Sequence, residues 1–139
     1  MPTKAQLVRE ALATEIRKVA GIGSVSSQVK LWKEETNLPA AYVILDSDDS
    51  RFEPTESKTV DAHFRIAMVL QSETPQDVFD DLRGAIEAEI EDDPSLGGLV
   101  DVAFVSGVGG FATSTSIAGQ VYVRNIFVDV TYKHARGQP

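Results

Sequence analysis

Alternating apolar and polar residues predict an interior strand over residues 63–70. Four apolar side chains fall at every second position and therefore share one face of a strand: Phe64, Ile66, Met68 and Leu70. The opposite face becomes apolar toward its end, at Ala67 and Val69. This pattern predicts a strand that is covered on both sides at that end.

A helix is predicted to follow this strand. The Thr74 hydroxyl can accept from a free backbone amide, and Pro75 fits the first helical position. Apolar residues then recur at helical spacing: Val78, Phe79, Leu82, Ala85, Ile86 and Ile90. Pro94 ends the helix because its ring disfavours helical geometry at Asp93. Residues 97–98 are both glycine, which predicts a turn with positive φ.

The rest of the chain supplies one more helix and further strands. Thr3 and Gln6 form a capping-box pattern, and the apolar stripe after it predicts an amphipathic helix that ends at Gly21. Strands are predicted over residues 25–35, 38–45, 100–105 and 121–132. The fold class is therefore α+β, a mixed and mainly antiparallel sheet with two amphipathic helices packed on it.

Three segments between or after these elements predict irregular structure. Residues 46–60 are polar and acidic, which favours a long loop or an extended hairpin arm. Residues 107–119 are rich in Gly, Ser and Thr and predict a mobile connection. The polar tail at 134–139 is expected to fray. The 139 residues fit a single domain, 1–139.

Composition excludes several classes of function. A net charge of −8 and the lack of a basic run argue against a nucleic-acid-binding surface, because phosphate affinity comes mainly from Lys and Arg. The absence of cysteine excludes disulfides and thiolate metal sites. No apolar run reaches the roughly 20 residues of a membrane span, so we expect a soluble protein made in a cytoplasm, with no membrane partner.

Two motifs resemble ligand sites without meeting their requirements. Residues 107–112 match the dinucleotide fingerprint and Asp129 follows at a suitable distance, but no helical stripe follows to hold a pyrophosphate. Residues 46–49 resemble the start of a calcium loop, yet Arg51 stands where Gly is needed and Ser57 where Glu is needed. Loose binding of a divalent cation by several such loops stays open. With His63 and His134 also lacking a nucleophile or second ligand, we predict no catalytic residue, cofactor or structured metal site, and no enzyme.

The order of local patterns resembles one protein family over most of the chain. The similarity includes the first helix, Leu-Pro-Ala-Ala-Tyr-Val at 38–43, the long acidic loop and the strand that ends in Met-Val-Leu at 68–70. It continues through the helix from Thr74, Asp-Pro-Ser-Leu-Gly-Gly-Leu-Val at 93–100 and the aromatic, β-branched strand that ends at Tyr132. In these features the chain resembles the tail terminator family, also called tail completion or minor tail proteins, of long-tailed bacteriophages.

This resemblance implies a structural protein of the virion. Family membership implies a homo-hexameric ring at the neck end of the tail, which caps the tail tube and offers its other face to the head–tail connector protein. DNA would only pass through the lumen. Two alternatives stay open: another neck or connector component of the particle, and a small ferredoxin-like ligand-binding regulatory domain.

A ring of this kind suggests which residues would meet partners. The acidic residues of the first loop are candidates for a lumen that repels DNA, with an outer solvated loop as the alternative: Asp46, Asp48, Asp49, Glu53 and Glu56. Phe111 and Ile117 are large apolar residues in a polar segment, where they could dock on a partner or fold back on their own sheet. Trp32 could anchor a partner or fill a core position.

Overall fold

A computed structural model describes residues 2–28, 37–52, 57–117 and 119–135 of the chain. The described residues form two helices and six strands, which confirms the α+β class. In chain order the elements are α1 (Lys4–Arg17), β1 (Ser24–Ser26), β2 (Ala40–Phe52), β3 (Ser57–Leu70), α2 (Pro75–Asp92), β4 (Val102–Val108), β5 (Ala112–Ser116) and β6 (Gly119–Ala135).

All six described strands join one mixed sheet. Its order is β1-β2-β3-β6-β4, and β5 pairs with β6 beside the end of β4. Only the β1–β2 pair is parallel among these pairings, so the sheet is mainly antiparallel, as predicted. The long strand β6 pairs with three other strands. One edge of β6 pairs with the whole length of β3, and the other edge pairs with β5 near the start of β6 and with β4 farther along.

Both helices contribute to one apolar core on the same face of the sheet. Its largest fully buried side chains come from α1, α2, β2, β3 and β6: Val8, Leu12, Ile16, Phe79, Ile86, Ile90, Val43, Phe64, Ile66, Met68, Leu70 and Ile126. The predicted faces of β3 and α2 are thus confirmed. A second, smaller cluster on the other face buries Ala67 and Val69 with Tyr42, which confirms that the end of β3 is covered on both sides.

The helix boundaries follow the predicted local chemistry with two exceptions: α1 ends at Arg17, four residues before the predicted Gly21, and α2 lacks its predicted side-chain cap. The Thr3 and Gln6 capping box is present. Pro75 occupies the start of α2, but Thr74 makes no side-chain cap bond; its own amide instead donates to Ser72 Oγ at 3.0 Å. α2 ends at Asp92, one residue before the Asp93–Pro94 stop, and residues 97–98 have positive φ as expected.

Residues 46–52 and 57–60 are not a loop but the far end of the β2–β3 hairpin. This was the second alternative for 46–60, an extended hairpin arm. Asp46 is an extra residue between the pairs that Leu45 and Ser47 make with β3, so it forms a bulge and the alternation changes phase there. Residues 46–50 are exposed. This part of β2 therefore has no buried face, and its sequence lacks the alternating apolar pattern that would have predicted a strand. Glu53 and Glu56 lie outside the described residues.

Residues 107–119 contain a strand where a mobile connection was predicted. Backbone pairing of β5 with β6 holds Ala112–Ser116, and this pairing does not depend on apolar side chains. β5 also stands where a dinucleotide motif requires a helix. β6 begins at Gly119 and reaches Ala135, so His134 belongs to a strand and not to the predicted tail. In the segment 25–35 the described strand is short, Ser24–Ser26, and the remainder from 29 lies outside the described residues.

Candidate interaction surface

The sheet face opposite the helices carries a polar network around His63. Its Nδ1 lies 2.8 Å from Asp129 Oδ1 on β6, and its Nε2 lies 3.9 Å from Asp49 Oδ2 on β2. Asp61 accepts a 2.9 Å hydrogen bond from Thr131 Oγ1. These contacts link three neighbouring strands, so a histidine that sequence reasoning treated as an isolated strand residue instead joins them across the open face.

Two arginines form further ion pairs on this face. Arg65 Nε lies 2.7 Å from Asp46 Oδ1, and an Arg51 terminal nitrogen lies 3.5 Å from Asp61 Oδ2. The side chains are partly exposed, so each pair is expected to contribute only about 0 to 1 kcal/mol. The network orients side chains on the face more than it stabilises the fold.

His63 should make stability depend on pH. Its hydrogen bond to Asp129, with the charges of Asp129, Asp49 and Asp61, raises the pKa of His63 above its ordinary value of 6.5. A raised folded-state pKa contributes stability that is fully present below the unfolded pKa and is lost as pH rises through the folded pKa. We therefore expect the free energy of unfolding to fall as pH rises above about 6.5.

Chemical denaturation across this pH range provides the measurement. The variant His63→Gln should lose this part of the pH dependence, and Asp129→Asn should weaken it. The matched control His134→Gln should retain it. An unchanged slope in His63→Gln would assign the pH dependence to other groups.

The edge strand β4 exposes two apolar side chains on this same face. Val102 is 39% and Phe104 46% exposed, whereas Ala103 between them is buried. Phe104 borders a shallow depression next to the polar network; its other lining residues include Asp49, Asp61, His63, Asp129 and Thr131. The sequence predicted the strand β4 but not its exposed apolar surface. The alternation of residues along β4 does place Val102 and Phe104 on the face opposite Ala103.

Phe111 folds back on its own subunit, which was one of its two predicted roles. Its ring packs edge-on against Phe79 of α2 at 5.7 Å and against Tyr122 of β6 at 6.3 Å, measured between centroids. The Arg124 guanidinium carbon lies 4.7 Å from the Phe111 centroid and 4.5 Å from the Phe79 centroid. Arg124 Nε also donates to the Gly109 carbonyl at 2.6 Å. Arg124 therefore fixes the segment that was expected to be mobile.

Ile117 differs from Phe111 in its surroundings. It is 68% exposed in the turn between β5 and β6, and Gly119 follows with a φ of +103°. Ile117 therefore stays a candidate for docking on a partner. Trp32, the other apolar candidate, lies outside the described residues.

The three described acidic candidates do not form one surface. Asp46 is paired with Arg65, and Asp49 lies beside His63 on the open face. Asp48 pairs with Ala62 in the register and thus belongs to the opposite, helix-bearing face. Burial there raises the pKa of Tyr132, and the charge of Asp48 adds to this effect. Asp46 and Asp49 thus contact residues of the open face, whereas Asp48 points to the other face, because the bulge at Asp46 shifts the alternation of side chains along β2.

Negative charge is concentrated elsewhere, in residues 75–101. This segment holds nine acidic residues and one basic residue, Arg83, which gives −8, the net charge of the whole chain. The remaining residues balance, with twelve of each sign. Because the segment consists of α2 and its turn into β4, the acidic surface borders the β4 end of the sheet. A segment-by-segment charge count would have found it.

The described part of the chain contains no group of three or more His, Asp or Glu side chains that could hold a metal ion. Neither of its described helices has the length and apolar character needed to cross a membrane.

No protein-family model and no curated protein matches the chain. A chain from the solved structure "Virion of native gene transfer agent (GTA) particle" is similar, with a TM-score of 0.39 and 14% identity over 89% of this chain and 93% of that chain. At this TM-score the similarity carries no argument about function.

Proposed function

We propose that this chain is a structural virion protein of the tail terminator type, which assembles into a six-membered ring. The ring caps the tail tube at the neck end and presents its other face to the head–tail connector protein. In this proposal the chain is not an enzyme and takes no cofactor, and DNA only passes through the lumen.

One observation carries the proposal: the fold that the sequence resemblance implies has the same general architecture as the observed one. The resemblance implies a mixed sheet with two helices packed on it, and both helices here pack on one face of a mainly antiparallel sheet. The opposite face is open around His63, and the β5–β6 turn presents Ile117 to solvent. A ring subunit needs such surfaces for its neighbours and for the tube.

The element order also bears on the alternatives. A ferredoxin-like domain has the order βαββαβ, whereas the described residues of this chain form three strands between α1 and α2 and three after α2. The regulatory-domain alternative is therefore the weaker one. Another neck or connector component would share the surfaces described above, and position in the particle separates it from a terminator.

Negative-stain imaging and native mass spectrometry of the purified chain test the proposal. With tail tube protein from the same particle, we expect rings of six 15.1 kDa chains, seated at one end of the tubes. Rings at the connector, away from the tube end, would favour the neck-component alternative. Chains that stay monomeric with tube protein and magnesium present would contradict both virion roles.

A further inference from the structure

We propose that the β4 end of the sheet, together with the acidic helix α2 beside it, binds the opposite end of a second copy of this chain, which carries β1 and α1. The inference rests on the proposed function, because it supplies the contact between neighbouring subunits of the ring. Three features of the described residues support it: the character of the edge strand, the position of the two ends and their charge.

The edge strand β4 lacks the usual protection against pairing with another chain. Edge strands are commonly kept apart by charged residues, prolines or short length. β4 has seven residues, none of them charged and none proline, and it exposes Val102 and Phe104 side by side on one face. The Pro94 carbonyl accepts from the Ala103 amide at 2.8 Å, so one backbone group is already occupied. The exposed apolar side chains are therefore the main contact that this edge offers.

The two ends of the described sheet differ, so a contact between them runs head to tail. α1 packs on β1 and β2 at one end, and α2 packs mainly on β4 at the other. A contact between two different surfaces is heterologous, and it closes into a ring when the rotation between copies allows it. A two-fold contact would instead join β4 to β4.

Charge favours the head-to-tail contact. Joining two β4 ends would place two segments of −8 beside each other. Residues 2–28, which form α1 and β1, carry four basic and two acidic residues and so have a charge of +2. Opposite potentials favour association and like potentials oppose it within a Debye length of about 10 Å.

Acidic residues of α2 lie on the side that this contact would use. Glu89 lies on the side of α2 nearer α1: the pKa of Lys18, at the end of α1, is raised by its hydrogen bond to Glu15 and further by the charge of Glu89. Glu87 and Glu91 lie about 200° from Glu89 around the helix, at about 100° per residue, and so point away from α1. They therefore border the β4 end of the sheet.

The first test is the mass of the full chain in solution at low and high salt. Phe104→Arg should give monomers and raise the dissociation constant about tenfold or more, because it puts a charge in the apolar contact. Ser47→Arg is the matched control: it puts the same charge on an exposed residue of β2, away from β4 and beyond the part of β2 that pairs with β1, so its oligomers should persist. Circular dichroism and melting temperature should be unchanged in both. A folded Phe104→Arg that still forms rings overturns the inference and leaves the proposed function standing.

Mixing two blocked variants separates head-to-tail from two-fold assembly. Arg17→Glu reverses an exposed charge next to β1, so this variant keeps only its β4 end, whereas Phe104→Arg keeps only its α1 end. Each should be monomeric alone, and the mixture should form a one-to-one dimer that grows no further. Dimers of Arg17→Glu alone would show two-fold β4 pairing and contradict the inference. A wild-type chain that remains monomeric even with tube protein would contradict both this inference and the proposed ring.

Discussion

The substitution Ile86→Asp is expected to bring the protein close to unfolding. Ile86 is fully buried in the middle of the α2 face that packs on the sheet, so the variant places a carboxylate in the core without a partner. The cost should be about 4 to 5 kcal/mol. This approaches the total stability of a typical domain, about 5 to 15 kcal/mol.

Two further variants provide stability losses with which that of Ile86→Asp can be compared. Leu82→Ala should cost about 2 to 5 kcal/mol, and toward the lower end because Leu82 is 7% exposed. Glu87→Ala is the surface control, since it removes only a 3.9 Å ion pair with Arg83 and should cost about 0.5 kcal/mol or less. Urea denaturation followed by circular dichroism measures all three. Glu87→Ala as the most damaging variant would refute the assigned buried face.

The second large effect is expected for Arg124→Ala. The variant loses the 2.6 Å bond from Nε to the Gly109 carbonyl and the stacking on Phe79 and Phe111. Together these contacts should be worth about 2 to 4 kcal/mol. Loss of the contact should also free the segment between β4 and β5, so amide exchange at Gly109 should rise.

Arg124→Lys and Arg51→Ala are the controls for this prediction. Lysine keeps the charge but lacks the planar group and the Nε donor, so Arg124→Lys should fall between the wild type and Arg124→Ala. Arg51 has a 63% exposed side chain and a single 3.5 Å pair, so its loss should cost about 0 to 1 kcal/mol. Equal losses for Arg51→Ala and Arg124→Ala would show that the stacked contacts contribute nothing specific.

The sequence predicted the elements whose faces are buried. β3 and α2 have strict apolar periods because one face of each packs in the common core, and Pro94 marks a stop that depends on local geometry alone. The far end of β2 was predicted only as one of two alternatives. Both of its faces are exposed there, and the Asp46 bulge shifts the alternation.

The candidate surface was harder to predict because its contacts join residues that are distant in the chain. β5 consists of small and mostly polar residues. Its strand depends on pairing with β6 and on the contact between Arg124 and Phe111, which no local sequence pattern indicates. The partnership of His63 with Asp129 spans 66 residues. The exposed pair Val102 and Phe104 could be detected only after β4 was known to end the described sheet.

The position of β6 in the chain has a consequence for synthesis. β6 pairs with β3, β4 and β5 but follows all three in sequence. β3 ends at Leu70 and β6 begins at Gly119, so the ribosome adds about 50 residues between the two strands. At about 5 to 20 residues per second this synthesis takes roughly 3 to 10 s, during which β3 lacks its partner β6. In nascent chains that stop before residue 119, the edges of β3 and β4 that pair with β6 would be exposed. Other nascent chains and chaperones could then bind these edges. We therefore expect synthesis of β6 to be the point at which β3, β4 and β5 gain their partner strand and become protected from pairing with other chains.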